Sequence, residues 1–131
     1  MIKQLMAALT SVVFAAPALP QELPPPYLLQ SLVADCKSDG TIETVSCQTY
    51  IRGVFDLMLI NSFVLKNIDA NRTRLLLGEY AVCPASAVTI GAMKQGLINW
   101  AQRHPEEWTK PAQFGVSRAL SEMWSCAGKI L

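Results

Sequence analysis

The chain has 131 residues, of which 51% are hydrophobic and 16% are charged, and its formal net charge is +1. This length suits one domain, and this composition is typical of a packed globular protein rather than a disordered one. A charge so close to zero excludes the basic surface of a nucleic-acid-binding protein and a polybasic membrane patch. We therefore expect no nucleic acid among the partners.

The first 18 residues have the pattern of a secretory signal peptide. One basic residue, Lys3, precedes an apolar run from Leu5 to Ala16, and Ala16-Pro17-Ala18 offers small residues for cleavage. An uncleaved membrane anchor is the alternative, but the run is shorter than the ~20 apolar residues that span a bilayer. We predict cleavage after Ala18, export to the periplasm and no stable membrane insertion afterwards.

Residues 19–26 contain four of the eight prolines and predict an extended lead-in to a domain over residues 27–131. Pro26 is predicted to be the first residue of the first helix, because its missing N–H would be unpaired there anyway. An apolar stripe then runs towards Cys36: Tyr27, Leu28, Leu32 and Val33. Residues 37–40 have the composition of a turn.

The central helix is predicted to begin at Thr41 or Thr44 and to end by Asn67. Its apolar residues recur at roughly the spacing of a helix that buries one face: Val45, Tyr50, Val54, Leu57, Met58, Ile60 and Phe63. Gly53 costs about 1 kcal/mol relative to alanine in mid-helix, so we expect another helix to approach closely there. Tyr50, Gly53 and Asp56 are interpreted as one face, with a buried polar contact between Tyr50 and Asp56 that positions the helix.

The second half of the chain predicts two further helices. Thr89 is a good N-cap for a helix that ends at His104, because Pro105 disfavours helical geometry before it. That helix has a regular stripe of Ile90, Met93, Leu97, Trp100 and Ala101. One helical turn follows at residues 105–108, and the last helix runs from about Pro111 to Cys126. Its apolar face comprises Ala112, Val116, Ala119, Leu120, Met123 and Trp124.

No segment alternates with a period of two, so we predict an all-α fold, a compact bundle of four main helices plus a short turn of helix. Cys36, Cys47, Cys83 and Cys126 are an even number in an exported chain, which favours two disulfides over a zinc site that needs closely spaced ligand pairs. Three connectivities are possible. We predict Cys36 with Cys47 and Cys83 with Cys126, since these pairings join each cysteine to its nearest helix end.

The sequence mostly lacks the residues that catalysis or cofactor binding requires. His104 is the single histidine and is interpreted, with Pro105, as a helix end. Glu106 and Glu107 are more simply helix-start charges than an acid and base pair. A catalyst would require a cleft that converges on His104 or Asp56. We expect no enzyme activity, no cofactor and no metal.

Several short motifs occur in order along the chain, over about residues 32 to 126. They are Cys47-x-x-Tyr50-Ile51-x-Gly53-Val54-x-Asp56, Cys83 with Val88-Thr89-x-Gly91, Trp100 with His104-Pro105-Glu106, Ala112, Ala119-Leu120 and Cys126. Together they resemble the Rap/Tai family of immunity proteins. That resemblance implies a small, exported, all-helical, disulfide-bonded protein that forms a homodimer and protects a bacterium from a peptidoglycan amidase of a type VI secretion system.

Two features depart from the family pattern. Trp124-Ser125-Cys126 stands where the family usually has a hydrophobic residue, proline and cysteine. The segment before Cys83, where related proteins tend to meet the toxin, has its own sequence, so the identity of the partner does not carry over.

The leading hypothesis is a periplasmic immunity protein that inhibits a cell-wall amidase effector by plugging its substrate groove. The residues 69–80 are the candidate protruding loop, in which the candidate partner-binding residues are Asn71, Arg72, Arg74, Glu79 and Tyr80. An ordinary solvated connection is the alternative interpretation of that segment. The alternative function is a non-catalytic periplasmic helical module that binds a hydrophobic ligand or a client protein, which an apolar cavity or a large exposed apolar patch would favour.

Overall fold

The computed structural model describes residues 23–67 and 78–126, which form four α-helices. The helices are α1 (Leu29–Lys37), α2 (Thr41–Asn67), α3 (Ile90–Arg103) and α4 (Ala112–Met123), with 3₁₀ turns at Gly78–Tyr80 and Pro105–Glu107. Every pair of the four helices is in contact, and the described residues include no β-strand, which confirms the predicted all-α bundle. The signal peptide predicted at residues 1–18 lies outside the described residues. In the two described ranges, no helix has both the length and the hydropathy needed to cross a membrane.

The N-termini of α1 and α4 satisfy each other's backbone donors. The first N–H groups of a helix have no partner within the helix. Here the N–H of Leu29 donates to the carbonyl of Lys110 at 3.0 Å, and the N–H of Ala112 donates to the carbonyl of Tyr27 at 2.8 Å. The prediction that α1 begins at Pro26 is therefore wrong, because Leu28 is extended and α1 begins at Leu29.

The core lies between the four helices. Its largest fully buried side chains are Leu29, Leu32, Ile51, Met58, Met93, Leu97, Leu120, Val82, Val116, Cys36 and Cys47. Burial of each such aliphatic side chain contributes about 1.5–3 kcal/mol. Helix α3 begins as predicted, with the Thr89 side chain accepting from the N–H of Ala92 at 3.2 Å.

Two disulfides hold the bundle, with the predicted pairing. Cys36 is bonded to Cys47 and Cys83 to Cys126, at Cα–Cα distances of 5.1 and 4.9 Å. The first joins α1 to α2 across their turn. The second joins the segment before α3 to the chain after α4. The prediction that α4 continues to Cys126 is wrong, because the helix ends at Met123 and a non-helical backbone brings Cys126 to Cys83.

Helix α2 buries a different face from the predicted one. Its buried residues repeat every three or four positions: Cys47, Ile51, Phe55, Met58 and Ser62. Four residues that were predicted to be buried are exposed instead: Val45 (56%), Leu57 (57%), Ile60 (60%) and Phe63 (70%). At about 100° per residue, these four and Ile42 lie on the side of α2 opposite to Cys47 and Ile51. We call this side the outer face.

The described residues also differ from the predicted roles of Gly53, Tyr50 and Asp56. A Cβ built on Gly53 meets nothing within 4 Å, so no element among the described residues approaches it. Tyr50 and Asp56 are six residues apart and are therefore rotated by about 120° from each other, which prevents a shared face. Tyr50 packs edge-on against Tyr27, with ring centroids 5.5 Å apart, and half-exposed Asp56 accepts from Arg52 Nε at 2.9 Å.

Candidate functional site

A cleft of about 450 Å³ opens between α3, α4 and the two 3₁₀ turns. It is lined by Glu79, Trp100, His104, Glu106, Glu107, Arg118, Ser121 and Glu122. Among the residues predicted to bind a partner, Glu79 lines this cleft and Tyr80 follows it in the chain. Asn71, Arg72 and Arg74 lie outside the described residues.

The chain around Glu79 is fixed to the bundle. The Asn61 side chain on α2 donates to the carbonyl of Tyr80 at 2.9 Å. Ala81 and Val82 are fully buried, and the next residue, Cys83, is bonded to Cys126. The carboxylate of Glu79 is thus presented from a backbone that has little freedom to move.

A buried carboxylate, Glu107, forms the floor of the cleft. Its Oε1 accepts from Lys110 Nζ at 2.7 Å and from Arg118 Nη1 at 3.0 Å. Its Oε2 is buried and has no hydrogen-bond partner among the described residues. The hydrogen bond from Lys110 holds the pKa of Glu107 below its ordinary value, against the opposing effect of burial. Glu107 is therefore charged at neutral pH.

One wall of the cleft is an aromatic stack. The His104 ring lies on the buried Trp100 ring, with centroids 4.2 Å apart and an interplanar angle of 26°. His104 Nδ1 is 3.0 Å from Glu106 Oε1, and Trp100 Nε1 donates to Glu122 Oε1 at 2.9 Å. His104 is the C-cap of α3 and Pro105 begins the next 3₁₀ turn, so both lie at a helix end.

The cleft reaches His104, which meets the condition set above for a catalyst. The hydrogen bonds of His104 and Ser121, however, are not those of a nucleophile paired with a base. The Ser121 hydroxyl donates to the carbonyl of Arg118 at 3.0 Å, within its own helix, rather than to His104. Four carboxylates and one guanidinium line the cleft. This arrangement is suited to holding cationic or hydrogen-bond-donating groups of a partner.

The ion pairs of Glu107 are the part of the site that sequence reasoning missed. Lys110 follows Glu107 by three residues, a spacing that brings side chains together on a helical turn and that would have predicted the contact. Arg118 lies on α4, eleven positions away, and only the tertiary fold brings it to the carboxylate. No local pattern predicts that second contact.

Asp56 lies elsewhere, on the outer face of α2. It borders an open hollow that is lined by Gln48, Thr49, Arg52, Gly53, Asp56 and Ile90. The cleft and the hollow share no residue. In the described ranges, no group of three His, Cys, Asp or Glu side chains is placed to hold a metal ion.

Comparison with known proteins gives one finding. A family model described as Rap1a immunity proteins matches residues 29–126, which includes all four helices and all four cysteines. No curated protein and no solved structure matches the chain.

Proposed function

The chain belongs to the Rap1a immunity protein family, and we propose that it binds and inhibits a peptidoglycan amidase effector of a type VI secretion system. The observation that carries this proposal is the match of the family model across nearly all of the described residues. Inhibition here is occlusion: the protein fills the substrate groove of the amidase and makes or breaks no covalent bond.

The geometry around Glu79 supports an occluding surface. Occlusion favours a scaffold that is ordered before binding, because less conformational entropy is then lost on association. Two disulfides and the buried Ala81 and Val82 provide that order next to residues 69–80. The acidic cleft beside Glu79 adds a concave surface, which would accept basic side chains at the rim of the effector's groove.

The proposed compartment is the periplasm. Two disulfides are typical of proteins that fold outside the reducing cytosol. The proposed signal peptide at residues 1–18 would deliver the chain to the compartment where a peptidoglycan amidase acts. We propose the mature protein to be a homodimer, since α2 presents an apolar outer face that one copy leaves exposed.

The same outer face gives some support to the alternative function, a helical module that binds a hydrophobic ligand or a client protein. Exposed apolar residues on one helix form the type of patch that such a module would use. The hollow at Gly53 is open, however, and its lining includes the charged Arg52 and Asp56, which suits an apolar ligand poorly.

The test is binding and inhibition with the mature chain and the type VI amidases of its host bacterium. We expect the two proteins to copurify and peptidoglycan cleavage to stop at equimolar inhibitor. Substitution Glu79→Lys reverses a charge at the cleft and should weaken binding at least about tenfold. The matched control is Asp39→Lys, just before the N-terminus of α2, about 30 Å along the helix from Asn61, which contacts Tyr80.

Three results would overturn the proposal. They are no binding to any type VI amidase of the host, binding without inhibition, and equal losses with Glu79→Lys and Asp39→Lys. Melting curves of both variants exclude unfolding as the cause, because both residues are exposed.

A further inference from the structure

The floor of the cleft beside α3 and α4 has a hydrogen-bond acceptor without a donor. The Glu107 side chain is only 7% exposed, and its Oε1 makes both ion pairs, with Lys110 and Arg118. Its Oε2 has less than 1 Å² of exposed surface and no hydrogen-bond partner in residues 23–67 and 78–126. A buried, charged acceptor without a donor is unfavourable, so the cleft has a place for a donor from outside the chain.

The cleft is also negatively charged. Its lining includes three further carboxylates, all exposed: Glu79, Glu106 and Glu122. The lining guanidinium, Arg118, is already paired with Glu107, and Lys110 pairs with Glu107 from outside the lining. Four carboxylates against these two cations leave the cleft negative, which favours a cation over an anion or an apolar group.

The wall that contains His104 suits a flat cation. One face of the His104 ring lies on Trp100, with centroids 4.2 Å apart, and 34% of the His104 side chain remains exposed in the lining of the cleft. A guanidinium is planar, is weakly hydrated and stacks on rings while its N–H groups donate within its plane. A lysine ammonium is more strongly hydrated and has no flat face. The cleft is therefore better suited to arginine than to lysine.

We propose that the cleft is a binding site for one guanidinium, the side chain of an arginine on a protein partner. The guanidinium stacks beside His104 and donates to Glu122, whose Oε1 accepts from Trp100 Nε1 and whose Oε2 can accept from the ligand. When the half-exposed side chain of Arg118 turns aside, a further N–H of the ligand reaches Glu107 Oε2. The partner's arginine thus supplies the donor that this buried oxygen lacks.

The ligand is an arginine within a protein chain rather than the free amino acid. Free arginine carries an α-carboxylate, which the acidic lining repels, whereas in a protein chain that group is an uncharged amide. This inference rests on the proposed function in one respect, because it takes the partner to be the effector and the arginine to lie at the rim of its groove.

Titration of the mature chain with a blocked arginine, N-acetyl-L-arginine N-methylamide, tests the site directly by NMR. The readout is the indole N–H resonance of Trp100, which donates to Glu122 at the cleft. The indole of Trp124, which packs edge-on against Phe55, is the internal reference in the same spectrum. We expect the Trp100 resonance to shift and that of Trp124 to stay, with a dissociation constant in the millimolar range because so small a ligand makes few contacts.

Three matched ligands separate charge, shape and source. The blocked lysine analogue carries the same charge and should bind at least about threefold more weakly. The blocked citrulline analogue has nearly the same shape without the charge and should leave the Trp100 resonance unshifted. Free arginine should bind more weakly than blocked arginine because of its α-carboxylate.

Substitutions locate the bound guanidinium. Glu122→Gln keeps an acceptor for Trp100 but removes a charge, and should weaken the binding of blocked arginine at least about threefold. Glu107→Gln removes the charge at the floor and should also weaken it. The matched control is Glu43→Gln, an exposed residue in the first turn of α2, which should bind blocked arginine as the wild-type chain does. Melting curves show whether each variant is folded.

The proposal is overturned if blocked arginine leaves the Trp100 resonance unshifted, or if the lysine analogue binds as tightly. Equal affinity of the wild-type and Glu122→Gln chains would place the ligand elsewhere, and tighter binding of free arginine would exclude a protein side chain as the source. None of these measurements includes an amidase. Failure here therefore leaves inhibition of the effector standing, and failure to inhibit an amidase leaves the guanidinium site standing.

Discussion

Both faces of α2 carry large apolar residues, but the structure buries those of one face and exposes those of the other. The inner face places Cys47, Ile51 and Met58 in the core, where each is at most 1% exposed. The outer face leaves Leu57 and Ile60 57% and 60% exposed. The difference arises because α1, α3 and α4 all pack on one side of α2.

Apolar residues on a long helix can therefore serve two separate contacts. The inner residues are buried by the fold of one chain. The outer residues are available for association, and they contribute little to the stability of one copy because most of their surface stays in water. Stability and association should therefore respond to substitutions on opposite faces.

The two faces should differ most at two neighbours in sequence, Met58 and Leu57. Met58→Ala leaves a cavity in the core and should lower the free energy of unfolding by about 2–5 kcal/mol. Leu57→Ala removes an exposed side chain and should change it by less than about 0.5 kcal/mol. Chemical denaturation at low protein concentration measures both. Equal losses would mean that the two faces do not differ as the structure describes.

The glycines of α2 and α4 give a second, smaller test of the same contrast. A Cβ on Gly115 would lie 2.6 Å from Leu29 Cδ2, and the fully buried Leu29 has no room to withdraw. Gly115→Ala should therefore lower the free energy of unfolding by about 1–3 kcal/mol through overpacking.

The matched control is Gly53→Ala, where a Cβ meets nothing. There the better helix propensity of alanine should raise the stability of the monomer by up to about 1 kcal/mol. The change in the free energy of unfolding should therefore have opposite signs for the two substitutions, because one glycine lies on a packed helix face and the other on an open one. A loss at Gly53 in dilute protein would contradict it.

Features that depend on neighbours in sequence were predictable here. The N-cap at Thr89, the stripe on α3 and the end of α3 before Pro105 follow from short-range chemistry. The disulfide pairing was also predicted, from the distance of each cysteine to its nearest helix end. Each of these features is set by residues only a few positions apart or by a limited number of possible pairings.

Features that depend on which elements meet in space were not predictable in the same way. The period of α2 predicted a helix correctly but assigned the wrong face to the core, because the neighbouring helices decide which face is buried. The predicted start of α1 was wrong by three residues, because the carbonyl of Tyr27 accepts from the N–H of Ala112 rather than from within α1. In the candidate cleft, Glu79 was named from sequence, whereas Glu107 and Arg118 meet only through tertiary packing.

The smallest expected effect concerns a polar group on the buried side, Glu107. Its pKa is lowered in the folded protein, chiefly by the hydrogen bond from Lys110, so the charged form stabilises the fold. This contribution is fully present above the unfolded-state pKa of about 4.3 and is lost as the pH falls through the lower pKa of the folded state. Glu107→Gln retains an acceptor but loses the charge, and should reduce stability by about 1 kcal/mol at pH 7.

The diagnostic result is how this difference changes with pH. Between pH 5.5 and 7 the gap in unfolding free energy between the wild-type and Glu107→Gln chains should be constant, and below about pH 4 it should close as the wild-type carboxylate takes up its proton. Glu43→Gln is the matched control, since Glu43 is exposed and takes no part in the ion pairs of Glu107. A gap that persists unchanged in acid would show that Glu107 acts through its shape and not its charge, because only the charge depends on pH in this range.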